Sequence, residues 1–197
     1  MRTSMKVVLV STILAWAAFP GDAAHGDDAH DTDRSEHQTW KLLDARGQAV
    51  GALVSIHTDA FETEPEGVII DVNGATVFAP IHRAVGADGQ MSASRYVWGT
   101  TYHYNVYPTA DCSGAPWIVG DPSGALRPSL VVRQESDVTL YIAPDTWSTR
   151  FRPASTQSLN FPCEVFGGVF GFTQEGWMPE SSFSLTQHYP EPLTVGD

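Results

Sequence analysis

The chain has 197 residues, 42% of them hydrophobic, and a formal net charge of −12 at pH 7, which suits one domain with a sizeable core and leaves too little length for two. Such an acidic balance excludes nucleic acid as a partner, because phosphates demand a basic surface, and excludes adsorption to anionic lipid. It names no partner of its own, since acidic charge speaks mainly to solubility.

Residues 1–23 carry the pattern of a secretory signal peptide. Arg2 and Lys6 supply positive charge, 7–18 is an apolar run, and Pro20 and Gly21 break it before small residues. The run is too short to span a bilayer and no second one follows, so no membrane span is expected after signal removal. Cleavage after Ala23 would make the remainder one charge unit more negative, through loss of Arg2, Lys6 and Asp22. The product is expected to be exported, to a periplasm or to the outside of the cell. Residues 24–39 then form an acidic, histidine-bearing tail without apolar periodicity, which cannot bury enough surface to order itself.

A β domain is expected over 40–197. The segment 40–44, a turn at 45–48 and the run 49–57 read as a hairpin, with Val50, Ala52, Val54 and Ile56 on one face. An acidic loop at 59–67 carries Glu62, Glu64 and Glu66. Two β-rich runs, 68–72 and 75–81, flank Asn73-Gly74, the dipeptide that favours a type I′ hairpin turn. A turn at 86–89 precedes a long aromatic run, 93–107, in which Gly99 marks a bulge or bend. The runs 130–133 and 138–143 flank a polar turn, with apolar residues at 130, 132, 138, 140 and 142 marking the buried side. The alternation of Gly with Phe and Val over 165–173 suits a closely packed strand, and 182–188 suits a last edge strand. No window of helical spacing follows the signal, and Gly and Pro recur at short intervals. The pattern is all-β: an antiparallel β-sandwich or barrel built of hairpins.

Cys112 and Cys163 are the chain's two cysteines, and in an exported protein they are most simply a disulfide. There is no C-x-x-C, and neither Cys has a nearby His to suggest a metal site.

At Leu43-Asp44-Ala45-Arg46-Gly47-Gln48-Ala49-Val50-Gly51 the chain resembles the opening of a family of exported bacterial proteins of unknown function, which begins with an Asp-x-x-Gly-x-x-Val-Gly hairpin. Asp111-Cys112-Ser113-Gly114 is similar to that family's Asp-Cys-x-Gly element, and Cys163 to its second cysteine. Pro190-Glu191-Pro192-Leu193-Thr194-Val195 resembles its Pro-rich C-terminal strand. Some relatives carry the domain behind collagen-like repeats, whereas this chain has no Gly-x-y run. The resemblance implies a secreted β domain and supplies no active site.

Three kinds of chemistry compete. His25, His30 and His37 with Asp27 and Asp28 could chelate copper or zinc, although their spacing fixes no geometry. Cleavage after Ala24 would make His25 the amino terminus; paired with His103 or His188, beside Tyr104 or Tyr189, it resembles the copper brace of secreted polysaccharide oxygenases. A brace must be held rigidly, however, and a tail-like polar stretch follows His25. Gly120-Asp121-Pro122-Ser123-Gly124 is similar to the nucleophile turn of trypsin-like proteases, but Pro122 separates elements that must be adjacent. A hydrolase acting on an extracellular polymer would need a carboxylate pair that only the fold could assemble. Lastly, Tyr96, Trp98, Tyr102 and Tyr104 share one side of an extended segment and, with Trp117, could stack on sugars or anchor a protein. The expectation is a secreted β module, a non-catalytic binding or envelope-associated protein whose partner is a carbohydrate or a protein. The sequence requires no cofactor.

Overall fold

The computed structural model describes residues 40–56, 66–101, 104–120, 124–158, 161–166 and 173–196. The expected signal peptide and tail lie outside them, as does most of the acidic loop at 59–67.

The opening hairpin forms as read. Strand β1 (Lys41–Leu43) pairs antiparallel with β2 (Ala49–Ser55). The turn between them is built on Asp44, whose fully buried carboxylate accepts the Arg46 and Gln48 N–H groups, each at 2.9 Å, and the Arg46 guanidinium at 2.8 and 2.9 Å. The same guanidinium donates to the His188 carbonyl, tying the turn to the C-terminal segment. The face assignment of β2 needs correction. The register slips beside Leu43, giving β2 one extra residue, so Val50 and Leu53 both pack on the core although they differ in parity.

Strand β3 (Glu66–Val72), which takes in Glu66 and Gly67 from the expected loop, meets β4 (Ala75–Val85) across Asn73-Gly74. Both turn residues have positive φ, 52° and 83°, the geometry that a two-residue type I′ turn demands and that Asn and Gly adopt with least strain. After the turn at 86–89, strand β5 (Met91–Trp98) pairs back on β4.

The aromatic run does not continue as one strand. It breaks at 99–101, where Thr101 exchanges hydrogen bonds with Val131, its N–H donating at 3.3 Å and its hydroxyl accepting at 2.9 Å, and resumes as β6 (Tyr104–Tyr107) in another sheet. There follow β7 (Ile118–Val119), β8 (Ser129–Gln134), β9 (Asp137–Ile142), β10 (Thr149–Phe151), β11 (Ser155–Ser158), β12 (Phe161–Val165), β13 (Gln174–Trp177) and β14 (Ser181–Ser184). The expected strand at 165–173 falls largely on residues outside the described set. The expected edge strand at 182–188 stops at Ser184, whose hydroxyl accepts the Gln187 N–H and caps a single helical turn, α1 (Leu185–His188). Strand β15 (Thr194–Gly196) follows.

The fold is all-β, with a nearly closed antiparallel barrel-like sheet and, among the described residues, three small sheets. The main sheet runs β15-β1-β2-β3-β4-β5, so the last strand lies beside the first. Its open edges meet where Tyr96 and Leu193 exchange both backbone hydrogen bonds, each at 2.8 Å. The Pro-rich segment seals this seam. Glu191 accepts the Trp98 N–H at 2.6 Å and pairs with Arg133 at 2.5 Å, while Tyr189 accepts the Trp98 indole N–H at 3.0 Å.

The core joins this sheet to the sheet β14-β9-β8. Val68, Ile70, Val77, Ile81 and Trp98 pack with Val131, Val138, Leu140, Ile142 and Leu185. Here too one expectation is corrected: Leu130 and Val132 do not share a side with the apolar residues of β9. Val131 lies opposite Leu140, so Leu130 and Val132 face the other way and pack with Ile118, Ala143, Tyr141 and Trp177 in a second cluster. The β8–β9 hairpin is thus buried on both faces. No helix among the described residues is long and apolar enough to cross a membrane.

Candidate functional site

The sheet β12-β11-β6 forms one wall of a solvent-open cleft of about 490 Å³. Volumes of this order hold small ligands. Strand alternation supplies the wall: Tyr104 from β6, Thr156 and Ser158 from β11, and Pro162 and Glu164 from β12 point to it, with Phe166 just beyond β12 and Gln174 opening β13. Tyr104 stands directly across from Ser158, half of its surface open.

The polar groups here are incompletely paired. Thr156 donates its hydroxyl to the Asn105 carbonyl at 3.0 Å. In contrast, Ser158 Oγ and Gln174 Oε1 are buried and have no hydrogen-bond partner among the described residues, as is Asn105 Oδ1 at the next position of β6. An orphaned buried group costs about 1–3 kcal/mol, and a ligand or water that reaches it recovers that cost. Among the described lining residues Glu164 carries the sole ionisable carboxylate, and there is no Lys, Arg or His. The set can stack and hydrogen-bond, and it does not bring a carboxylate pair together.

The reverse face of the same wall carries the disulfide. Cys163 alternates with Pro162 and Glu164 and is bonded to Cys112, with their Cα atoms 5.8 Å apart. The bond crosses β11, fixing edge strand β12 to the loop after β6. Ser155, fully buried, completes the link by accepting the Cys112 N–H at 3.1 Å and donating to the Thr109 carbonyl at 2.6 Å. Beside it, hydrogen bonds from the Ser113 hydroxyl and N–H hold the Asp111 carboxyl below its ordinary pKa.

The aromatic residues expected to act together are separated. Tyr96 and Trp98 are core residues, 8% and 1% exposed, and no ligand can stack on them. Tyr102 lies outside the described residues. Trp117 is half-buried, one face stacked flat on Phe151 with ring centres 3.9 Å apart. Tyr104 alone of the described four presents an open ring. The physical reason is the break at 99–101: once the chain leaves one sheet for another, counting by twos no longer predicts which side a residue faces.

Of the proposed metal ligands, His25, His30, His37, Asp27 and Asp28 lie outside the described residues, as do His103, Glu62 and Glu64. Among the described residues no group of three or more His, Cys, Asp or Glu is placed to hold a metal ion. His188 stacks on Phe183 with ring centres 4.0 Å apart, its Nδ1 2.8 Å from the Ser184 carbonyl. Three residues of the protease-like turn, 121–123, are likewise outside.

Sequence reasoning passed over Ser158, Pro162, Glu164, Phe166 and Gln174 as site residues; they come from strands of four or five residues, or from just beyond one, too short for an apolar period to show which side they face. It also passed over Trp147, 94% exposed between β9 and β10. That loop is held in place: Arg127 pairs with Asp145 at 3.3 Å, and the Trp177 indole donates to the Thr146 carbonyl at 2.9 Å. A tryptophan inside Pro144-Asp145-Thr146-Trp147-Ser148, a run of turn residues, was the available signal.

No family model matches the chain, and no curated protein or solved structure matches it.

Proposed function

We propose that this protein is an exported, non-catalytic binding module that takes a carbohydrate into the cleft walled by β6, β11 and β12. The observation that carries this reading is the half-open Tyr104 ring standing across from Ser158 in a cleft with unpartnered hydrogen-bonding groups. A sugar ring offers a C–H face that stacks on an aromatic ring and a rim of hydroxyls that satisfies polar groups. The signal-like residues 1–23 support export, and so does a disulfide within the domain, since such bonds persist in oxidising compartments. Screening the secreted protein on a glycan array, followed by calorimetric titration of the hits, tests the reading. Tyr104→Ala is expected to weaken binding about tenfold, roughly 1.4 kcal/mol. Binding that ignores this substitution, or an array without hits, refutes it.

A second reading, contact with a protein partner, is favoured by Trp147, because an almost fully exposed tryptophan, next to a Thr146 carbonyl that accepts the Trp177 indole N–H, is a typical interface anchor. Trp147→Ala would then abolish partner capture while leaving glycan binding intact.

A further inference from the structure

Resting on that reading, we infer that the cleft selects uncharged sugar units and rejects acidic ones such as uronic acids, with Glu164 as the discriminating residue. Recognition of a sugar carboxylate or sulfate relies on cationic donors, above all the guanidinium fork of Arg. The described lining supplies none and contributes one exposed carboxylate instead. The groups that are present suit hydroxyls. Glu164 accepts from a pair of neighbouring sugar O–H groups, while Ser158 and Gln174 can each both donate and accept. The charge of the whole chain, −12, acts in the same direction by lowering the local concentration of anions. Both effects are electrostatic, so rejection of acidic sugars weakens as salt rises, whereas binding of neutral sugars does not.

The test is calorimetric titration of the full secreted protein with two matched sets of tetrasaccharides, neutral (cello-, manno-, xylo- and galacto-) and acidic (galacturonate and alginate), repeated with Glu164→Gln and Tyr104→Ala. The best neutral ligand is expected to bind at least about tenfold more tightly than any acidic one. Glu164→Gln should narrow that gap by about threefold or more, chiefly by tightening acidic ligands. An acidic tetrasaccharide that binds as tightly as the neutral ones, in a manner lost in Tyr104→Ala, overturns the selectivity and leaves the cleft reading standing. A gap unchanged by Glu164→Gln overturns the role of that residue. If neither set binds, the selectivity and the cleft reading fall together.

Discussion

The barrel and the cleft wall are held together by different physics. In the barrel, β3 and β4 run for 7 and 11 residues and bury Val68, Ile70, Val72, Val77, Ala79 and Ile81, so that hydrophobic burial does the work. In the cleft wall, β6 and β11 have 4 residues each, β11 reads Ser-Thr-Gln-Ser, and a covalent bond fastens the edge strand. Among the described residues the wall also contributes two of the three orphaned polar oxygens, and β13 beside it contributes the other. Beside the fully buried Val106 and Tyr107 of β6, such a wall keeps polar groups uncommitted and ready for a ligand. The barrel has no such freedom.

The largest expected effect tests the barrel. Trp98→Ala removes a fully buried ring that closes the seam, together with its hydrogen bond to Tyr189, and should cost about 4 kcal/mol in urea unfolding. A cost below about 1 kcal/mol would mean that the seam contributes little and that the comparison is wrong on its stronger side.

Removing the staple tests the other side. The disulfide closes 51 positions of sequence, for which chain entropy gives about 4 kcal/mol as an upper figure, and Cys112→Ser with Cys163→Ser should cost about 3 kcal/mol. Where the loss appears is the sharper readout. Hydrogen exchange should quicken in β6, β11 and β12 and stay slow in β3 and β4. Equal loosening of both regions would break the contrast.

A smaller effect marks the polar joint inside the barrel. Burial pushes the Asp44 carboxyl up, but hydrogen bonds from the Gln48 N–H, the Arg46 side chain and the Arg46 N–H, with the Arg46 charge, outweigh it, so its pKa lies below the ordinary value. Because the native pKa is depressed, this contribution is fully present above the ordinary aspartate value of about 3.9 and is lost as pH falls through the lower native one. Asp44→Asn should cost about 2 kcal/mol at neutral pH and flatten the decline in stability below about pH 4. An Asn variant with the same acid profile as the parent would show that another group governs it.

The same division decides how much could be read in advance. The Asn73-Gly74 hairpin, the opening hairpin and the β8–β9 pair were legible because period-two apolar runs flanked turn residues of known geometry. The disulfide was legible from the cysteine count and the signal-like pattern of residues 1–23. Within those elements, the facing of β2 and β8 was not, since a one-residue bulge at Val50 and burial on both sides of β8 leave no mark in hydrophobicity. Tyr104 was picked out, but in the wrong company: Gly99 marked a bend, and nothing local showed that the chain beyond it joins another sheet. Ser158, Glu164 and Gln174 were invisible for a physical reason: their strands are specified by cross-strand hydrogen bonds and a distant cysteine rather than by an apolar pattern.

The smallest expected effect is the most demanding of the comparison. If the wall and the β9–β10 loop keep their exposed groups for contact rather than for cohesion, Tyr104→Ala and Trp147→Ala should each leave unfolding free energy within about 0.5 kcal/mol of the parent, since neither ring contributes to a buried cluster. The pair separates the two contact readings, because Tyr104 faces the cleft and Trp147 sits on the loop held by Arg127. Tyr104→Ala alone should weaken sugar binding. A stability loss above about 1 kcal/mol for Tyr104→Ala would show that its ring holds the wall together, and the division between a cohesive barrel and a receptive wall would no longer stand.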